Sequence, residues 1–324
     1  MRKLMYLLFG LAILAMMPVV LSVYLYKTTN STTEKMVFIE PKTGVRELIA
    51  QLHAEGLVPS PMLTLIPVIM TADYHLLKAG EYEFPAGSTP AQVIDQIIRG
   101  EVVIHKVTIP DGWDVWQVKA ALMAEQLLTG ELPVIAEGSL LPDTIHFSRG
   151  EARSSVIARM QKAQSELMEK LWANHAADLP YQSPAQALVL ASIVEKETGI
   201  GGERGKVAGV FVNRLRLGMP LQSDPTVVYG IELRNGGMPM GRALSKLDLK
   251  TDTAHNTYTR AGLPPTPICN PGRAAIEAVL NPTPTDALYF VATGNGGHNF
   301  SATLGEHERF VDQYRAVLKD AQKR

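Results

Sequence analysis

One run of the chain places an acid where acids are uncommon. In "LVLASIVEKETG", residues 188–199, an apolar stretch ends in Glu195-Lys196-Glu197. On a helix, Leu188, Ala191 and Ser192 share the face of Glu195, because residues three, four and seven apart are neighbours there. Leu190 and Val194 cover much of the remaining circumference, and a helix apolar nearly all round is buried. Glu195 is therefore expected to be partly desolvated, near the negative pole of its own helix. Both conditions disfavour a carboxylate anion. A carboxyl that keeps its proton near neutral pH can act as a general acid. The same position also suits a helix-end salt bridge to Lys196, Arg204 or another cation. Glu197 points elsewhere, and a solvated role is expected for it.

Polar binding groups gather downstream. "LQSDPTVVYG" (221–230) and "HNTYTRAGLPPTPICNPG" (255–272) carry Gln222, Ser223, Asp224, Asn256, Tyr258 and Asn270. Amides, hydroxyls and an aromatic ring suit a neutral, hydroxyl-rich ligand with apolar faces, such as a sugar. Asn and Asp also favour turns, so each has a purely structural reading as well. "TGNGGHNFS" (293–301) suits either a loop whose glycines let a ligand approach closely or a simple tight turn. In the first case His298, Asn299 and Ser301 supply polar contacts. Common hydrolase and nucleotide signatures are missing: no G-x-S-x-G, S-x-x-K, P-loop or H-E-x-x-H occurs. In "EHE" (306–308) neighbouring side chains diverge on a helix, so no metal site is expected. Cys269 is the single cysteine, which excludes an internal disulfide and a cysteine-based metal cluster.

These residues need elements to position them. Ser183 and Pro184 suit the cap and first position of a helix running to Thr198, and Gly199, Gly201 and Gly202 end it. A further helix is expected from about Arg204 to Leu217, and an amphipathic one over 154–176. The spacing also predicts a strand over 287–293 and a closing helix from about Glu306. Residues 218–272 read as irregular, and long irregular stretches are uncommon unless they serve a site. Upstream, "MVFIEPKTGVRELIAQLHAEGL" (36–57), "GEYEFPAGSTPAQVIDQIIRGE" (80–101) and "VTIPDGWDVWQVKAALMAEQLL" (107–128) each read as strand, turn and helix. Ile49, Val93 and Val118 each stand eight positions after the proline. The repetition is either an internal repeat or the incidental recurrence of a common unit. Ser88 or Thr89 suits the cap of the second helix.

The 324 residues suffice for about two domains, and the net charge of −1 offers no basic field for nucleic acid. Arg2 and Lys3 precede an uncharged run, Leu4–Tyr26, which is roughly 35 Å long as a helix and enough for a bilayer core. Tyr6, Tyr24 and Tyr26 stand near its ends, where aromatic rings favour the interface. The run is longer than a signal-peptide core, and no small-x-small cleavage site follows it, so a retained anchor is expected. The positive-inside rule then leaves the N-terminus cytoplasmic and the remainder outside. "TTNSTTEK" (28–35) reads as a polar linker.

With these motifs in view, the chain resembles the endolytic murein transglycosylases of the YceG-like family. The resemblance runs from the anchor to the C-terminus. It is carried by "KAGEYEF", "EGSLLPDT", "LASIVEKET", "VFVNRL", "LQSDPTVVYG", "NTYTRAGLPPTPICNPG" and "YFVATGNGGHNFSATLGEH". It implies an α+β protein: membrane helix within 1–27, linker 28–35, LysM-like strand-helix region 36–128, and a mixed helix/strand catalytic domain with long ordered loops over 129–324. It implies that Glu195 is the catalytic acid. The implied reaction cleaves the β-1,4 bond between N-acetylmuramic acid and N-acetylglucosamine inside a glycan strand and leaves a 1,6-anhydro end, with no metal or cofactor. The implied setting is the inner membrane, with the catalytic part in the periplasm, where the enzyme terminates nascent strands beside peptidoglycan synthases. Asp224, as a second carboxylate, keeps ordinary hydrolysis open, and a non-catalytic peptidoglycan-binding anchor is the alternative from another class. The chain departs from the family pattern at Ser139 and Ile145, where aromatics are expected, and at His255, where tyrosine is usual.

Overall fold

The computed structural model describes residues 2–27, 31–70, 73–294 and 296–321. Thr28, Thr29 and Asn30 of the expected linker, the Tyr26 side chain and Asn295 lie outside the described residues. The chain divides into two compact units. The first comprises residues 1–106, 127–129 and 146–151, and the second 107–126, 130–145 and 152–324.

The first unit begins with α1 (Arg2–Lys27), followed by β1 (Lys35–Ile39), α2 (Val45–Ala54), α3 (Pro61–Met70), β2 (Gly80–Phe84) and α4 (Pro90–Arg99). The window Leu8–Leu25 of α1 is long and apolar enough to cross a membrane. Its one buried side chain among those described is Tyr24, whose hydroxyl donates to the Ser60 carbonyl at 3.0 Å. Strands β1 and β2 pair antiparallel, with Lys35 opposite Phe84 and Ile39 opposite Gly80. Their inward residues Val37, Tyr82 and Phe84 share a core with Ile49 of α2 and Val93 of α4. Thr89 caps α4 as a full capping box with Gln92, and Gly100 ends the helix in the left-handed region at φ 72°.

Strands β3 (Ile104–Thr108) and β4 (Thr144–Ser148) form a second two-stranded sheet. The second unit contains α5 (Val115–Ala124), α6 (Arg153–Trp172), α7 (Pro184–Glu197), α8 (Arg204–Arg216), α9 (Asp224–Arg234), α10 (Arg273–Leu280), β5 (Tyr289–Ala292), β6 (His298–Ser301) and α11 (Leu304–Ala321). The third strand-turn-helix segment folds as read, and Val118 is fully buried. Its helix packs with the C-terminal residues rather than with the two earlier segments.

Three elements depart from the sequence reading. The stretch 218–272 holds a regular helix, α9. Its buried positions are Thr226, Val227, Tyr229 and Gly230, which do not read as an apolar stripe. Gly230 is there because a Cβ would stand 2.2 Å from the Thr253 hydroxyl. A second unforeseen helix, α10, starts directly after Gly272 and buries Ala275, Ile276 and Val279. The sequence reading gave no strand within 293–301, and β6 lies there. These residues close a hairpin, in which β6 pairs antiparallel with β5 and Ala292 faces His298.

Candidate active site

The site is built on α7. Ser183 caps it by accepting from the Gln186 N–H, and Pro184 takes the first turn. Leu190, Ile193 and Val194 are fully buried against α8 and α10. Burying each such side chain stabilises the fold by roughly 1.5–3 kcal/mol, which holds the helix in place up to its last turn. Glu195 follows directly. Its side chain is 5% exposed.

Two donors hold the Glu195 carboxyl. Arg204 Nη2, at the start of α8, lies 3.2 Å from Oε1, and the Gly272 N–H donates to Oε2 at 3.0 Å. The ionic partner is thus one of those foreseen for a helix-end bridge, and the apolar approach is combined with it. Ser192, one turn earlier on the same face, explains how Gly272 arrives. Its hydroxyl accepts from the Ile268 N–H at 3.0 Å, and its carbonyl accepts from the Cys269 thiol at 3.3 Å. This docks the segment 268–272 along α7. From the other side comes the turn 110–113: the Gly112 N–H donates to the Asn270 carbonyl at 2.9 Å, and Lys196 Nζ donates to the Gly112 carbonyl at 3.1 Å. A Cβ on Gly272 would stand 2.3–2.5 Å from the Asp111 carboxylate, which would have to swing aside.

Above this floor opens a cavity of about 890 Å³, bordered by Glu195, Asp111, Trp113, Trp116, Asp224 and Tyr229 among others. Carboxylates and indole rings around one acid make a surface for a polar ligand with apolar faces. Behind the lining sits Glu137. It accepts from the Val115 N–H at 3.1 Å and from the Tyr229 hydroxyl at 3.3 Å, and Asn270 Nδ2 lies 3.4 Å away. Desolvation raises its pKa to about 7, against the opposing Val115 hydrogen bond.

A sequence model of the YceG-like family matches residues 37–313. The chain belongs to the YceG-like family. It is 38% identical over 179 residues to the endolytic murein transglycosylase of Bacillus subtilis, covering 55% of this chain and 48% of that one. It is 27% identical over 337 residues to the endolytic murein transglycosylase of Streptococcus pneumoniae, covering 88% of this chain and 59% of that one. This YceG-like chain therefore spans about half the length of the curated relatives it matches. Among solved structures, a YceG-like protein of Listeria monocytogenes superposes with a TM-score of 0.53 at 27% identity, covering 86% of this chain and 99% of that one.

Within this YceG-like fold, the residues expected to bind a ligand separate into three groups. Gln222, Asp224 and Tyr258 border a second cavity of about 440 Å³, and Asp224 borders the first cavity as well. The Tyr258 hydroxyl donates to Asp224 Oδ1 at 2.6 Å. Ser223 is buried at that cavity's base and donates its hydroxyl to Glu197. Asn256 and Asn270 form the second group, which lies away from the linings of both cavities. Both are fully buried, with amides bonded internally: Asn256 to the Leu249 and Thr251 carbonyls, Asn270 to the Leu140 N–H and the Trp113 carbonyl. They shape the loops. His298, Asn299 and Ser301 form the third group, on β6 and outside the lining of both cavities. His298 is occupied by Glu203, which lies 2.7 Å from Nδ1, and Ser301 is buried.

Glu197 also differs from expectation. It is not solvated but set beside the second cavity, where burial raises its pKa despite the opposing Ser223 hydrogen bond. Of the family departures, His255 keeps an aromatic contact, edge-on to Tyr229 with centroids 4.9 Å apart, while its Nε2 meets the Thr266 hydroxyl. The site residues that the sequence reading did not single out are Gly272, Gly112, Asp111 and Glu137. The turns "PDG" and "NPG" were the available signal, but nothing local says that the two turns meet.

Proposed function

We propose that the chain is an endolytic peptidoglycan lytic transglycosylase. It cleaves the bond between N-acetylmuramic acid and N-acetylglucosamine within a glycan strand, and Glu195 is the acid and then the base. The observation that carries this reading is the position of Glu195: a nearly buried carboxyl at the floor of a large polar-aromatic cavity, oriented by two donors. The relatives named endolytic murein transglycosylase supply the substrate class. In the reaction, Glu195 gives its proton to the departing glycosidic oxygen as the bond to the muramic anomeric carbon breaks. The muramic 6-hydroxyl oxygen then bonds to that carbon, and its proton passes to the Glu195 carboxylate. Atoms and charge balance without water, metal or cofactor. Arg204 and the Gly272 N–H stabilise the carboxylate that exists between the two transfers.

The chain acts on peptidoglycan strands from the inner membrane. α1 is the anchor, Arg2 and Lys3 keep the N-terminus cytoplasmic, and the cavity-bearing unit is periplasmic. The order β1-α2-α3-β2, with its strands antiparallel, supports a LysM-like glycan-holding role for the first unit. Beside peptidoglycan synthases, such an enzyme would end strand elongation. The test is incubation of purified peptidoglycan with the wild type and Glu195→Gln, followed by mass spectrometry. Anhydro ends that fall by roughly 10²–10⁴-fold in the variant support the reading. Reducing ends would assign water as the nucleophile, with Asp224 as the second carboxylate. Binding without cleavage by the wild type would leave a glycan-binding anchor.

A further inference from the structure

Glu197 stands two residues after Glu195 on the same helix, so the two side chains leave α7 on nearly opposite sides. They border different cavities, and both cavities share Asp224. Glu197 therefore cannot flank the bond that Glu195 attacks, and the second cavity needs its own account. We infer that the cavity beside Glu197 is a second carbohydrate subsite, which takes one N-acetylated hexosamine ring of a strand that continues past Asp224. This rests on the reading of Glu195 as acting on a glycan.

Size, walls and a partly unspent polar group support it. A volume of about 440 Å³ lies at the low end of ligand pockets, roughly 300–1,000 Å³, and suits one substituted ring better than several. Tyr258, Tyr289 and Phe290 give the aromatic surface that the apolar face of a sugar stacks on. The carboxyls are already answered. Asp224 accepts from Tyr258, Glu197 accepts from Ser223, and burial favours its neutral form. Arg214 gives Nε to the Leu288 carbonyl at 2.7 Å and Nη1 to the Leu221 carbonyl at 2.8 Å. The two carboxyls thus offer nothing to a cationic ligand, while Arg214 keeps its charge, since its acceptors are neutral carbonyls. One polar group remains partly unused: Arg214 borders the cavity and gives only Nε and Nη1 to the carbonyls around it. A donor residue bordering a small aromatic pocket fits an amide carbonyl, which the acetamido group supplies.

The backbone also marks the place. Gln222, at the rim, holds a φ of 50°, uncommon for a residue with a side chain. Next to it, Ser223 stands at the N-cap of α9 without capping it. Its hydroxyl is given to Glu197 instead. A residue type that ordinarily stabilises a helix start is used here to hold a carboxyl at the cavity wall.

Binding without turnover tests this. The full chain carrying Glu195→Gln, in detergent, is titrated with amidase-stripped glycan strands by calorimetry. The titration is repeated after adding Leu304→Trp, which fills the cavity from an exposed rim position. A separate variant, Tyr289→Leu, removes an aromatic wall at similar volume. The expected result is an affinity loss of about tenfold or more for Leu304→Trp and roughly two- to tenfold for Tyr289→Leu, with unchanged circular dichroism. If both variants bind strands as tightly as the parent, or the parent does not bind them, the subsite is refuted. If Leu304→Trp fails to fold, Tyr289→Leu decides alone. The reading of Glu195 fails separately: wild type that releases no anhydro ends, while these variants still lose affinity, leaves the subsite standing without the chemistry.

Discussion

Glu137 is the residue where pH should act on stability. Its pKa rises from 4.5 to about 7 in the fold, so the folded chain holds a proton there that the unfolded chain releases. That contribution is full below pH 4.5 and is lost as pH rises through about 7. Its size is on the order of 3 kcal/mol. Glu197, also raised by burial, adds a slope of the same sign. Glu137→Gln keeps the shape and cannot ionise. Calorimetric melting should find it close to wild type at pH 5 and more stable, by up to that amount, at pH 8. A constant difference across this range would refute the assignment. Gly272→Ala works on Glu195 itself. The new methyl displaces the Asp111 carboxylate, the free end of a flexible side chain. The chain should therefore stay folded with a melting point near that of wild type, while peptidoglycan cleavage falls about tenfold or more as the donor to Glu195 is disturbed.

At the level of elements, α7 carries the site and two close approaches keep its surroundings in register. Gly209 on α8 faces the backbone of Thr283: a Cβ there would stand 2.6 Å from its carbonyl oxygen and 2.8 Å from the Thr285 methyl. Backbone cannot step aside as a side-chain tip can. Gly209→Ala should destabilise by about 1–3 kcal/mol in a denaturant titration, although alanine is the better helix former. Ser192→Ala leaves the buried Ile268 N–H without its acceptor and should cost about 1–3 kcal/mol. It should also loosen the segment that brings Gly272 to Glu195, so activity falls more than stability alone explains. The helices α4 and α7, with a cap and apolar positions, and α8, with an apolar run, are legible from local signals. α9 is not, because its buried face uses Thr226 and Gly230, whose fits depend on Thr257 and Thr253, more than twenty positions away.

Across the whole molecule, α1 is separable from the rest of the first unit's core. Tyr24 is its buried contribution among the described side chains, through Ser60 and Thr64. A chain beginning at Ser31 should therefore remain in the soluble fraction, whereas the full chain should sediment with membranes. It should keep its circular dichroism and its melting point to within a few degrees. Sedimentation of the shortened chain with membranes would show that another surface holds it there.

The sequence alone determined the membrane-length helix, the α+β class, the limits of α7 and α8, and Glu195 as the acid to examine. Each of these depends on periodicity, caps or length within one continuous segment. Tertiary structure decided which groups meet Glu195. Arg204 and Gly272 come from separate segments, brought together by the burial of α7 and by Ser192 docking the segment 268–272, and Gly112 from a third segment meets Lys196 and Asn270 beside them. It also decided that Glu197 faces a second cavity and that Asn256 and Asn270 turn inward to hold loops. Nothing local distinguishes an asparagine that offers its amide to a ligand from one that gives it to the backbone. The difference lies in which carbonyls the fold leaves beside it, and those are set by packing across the chain.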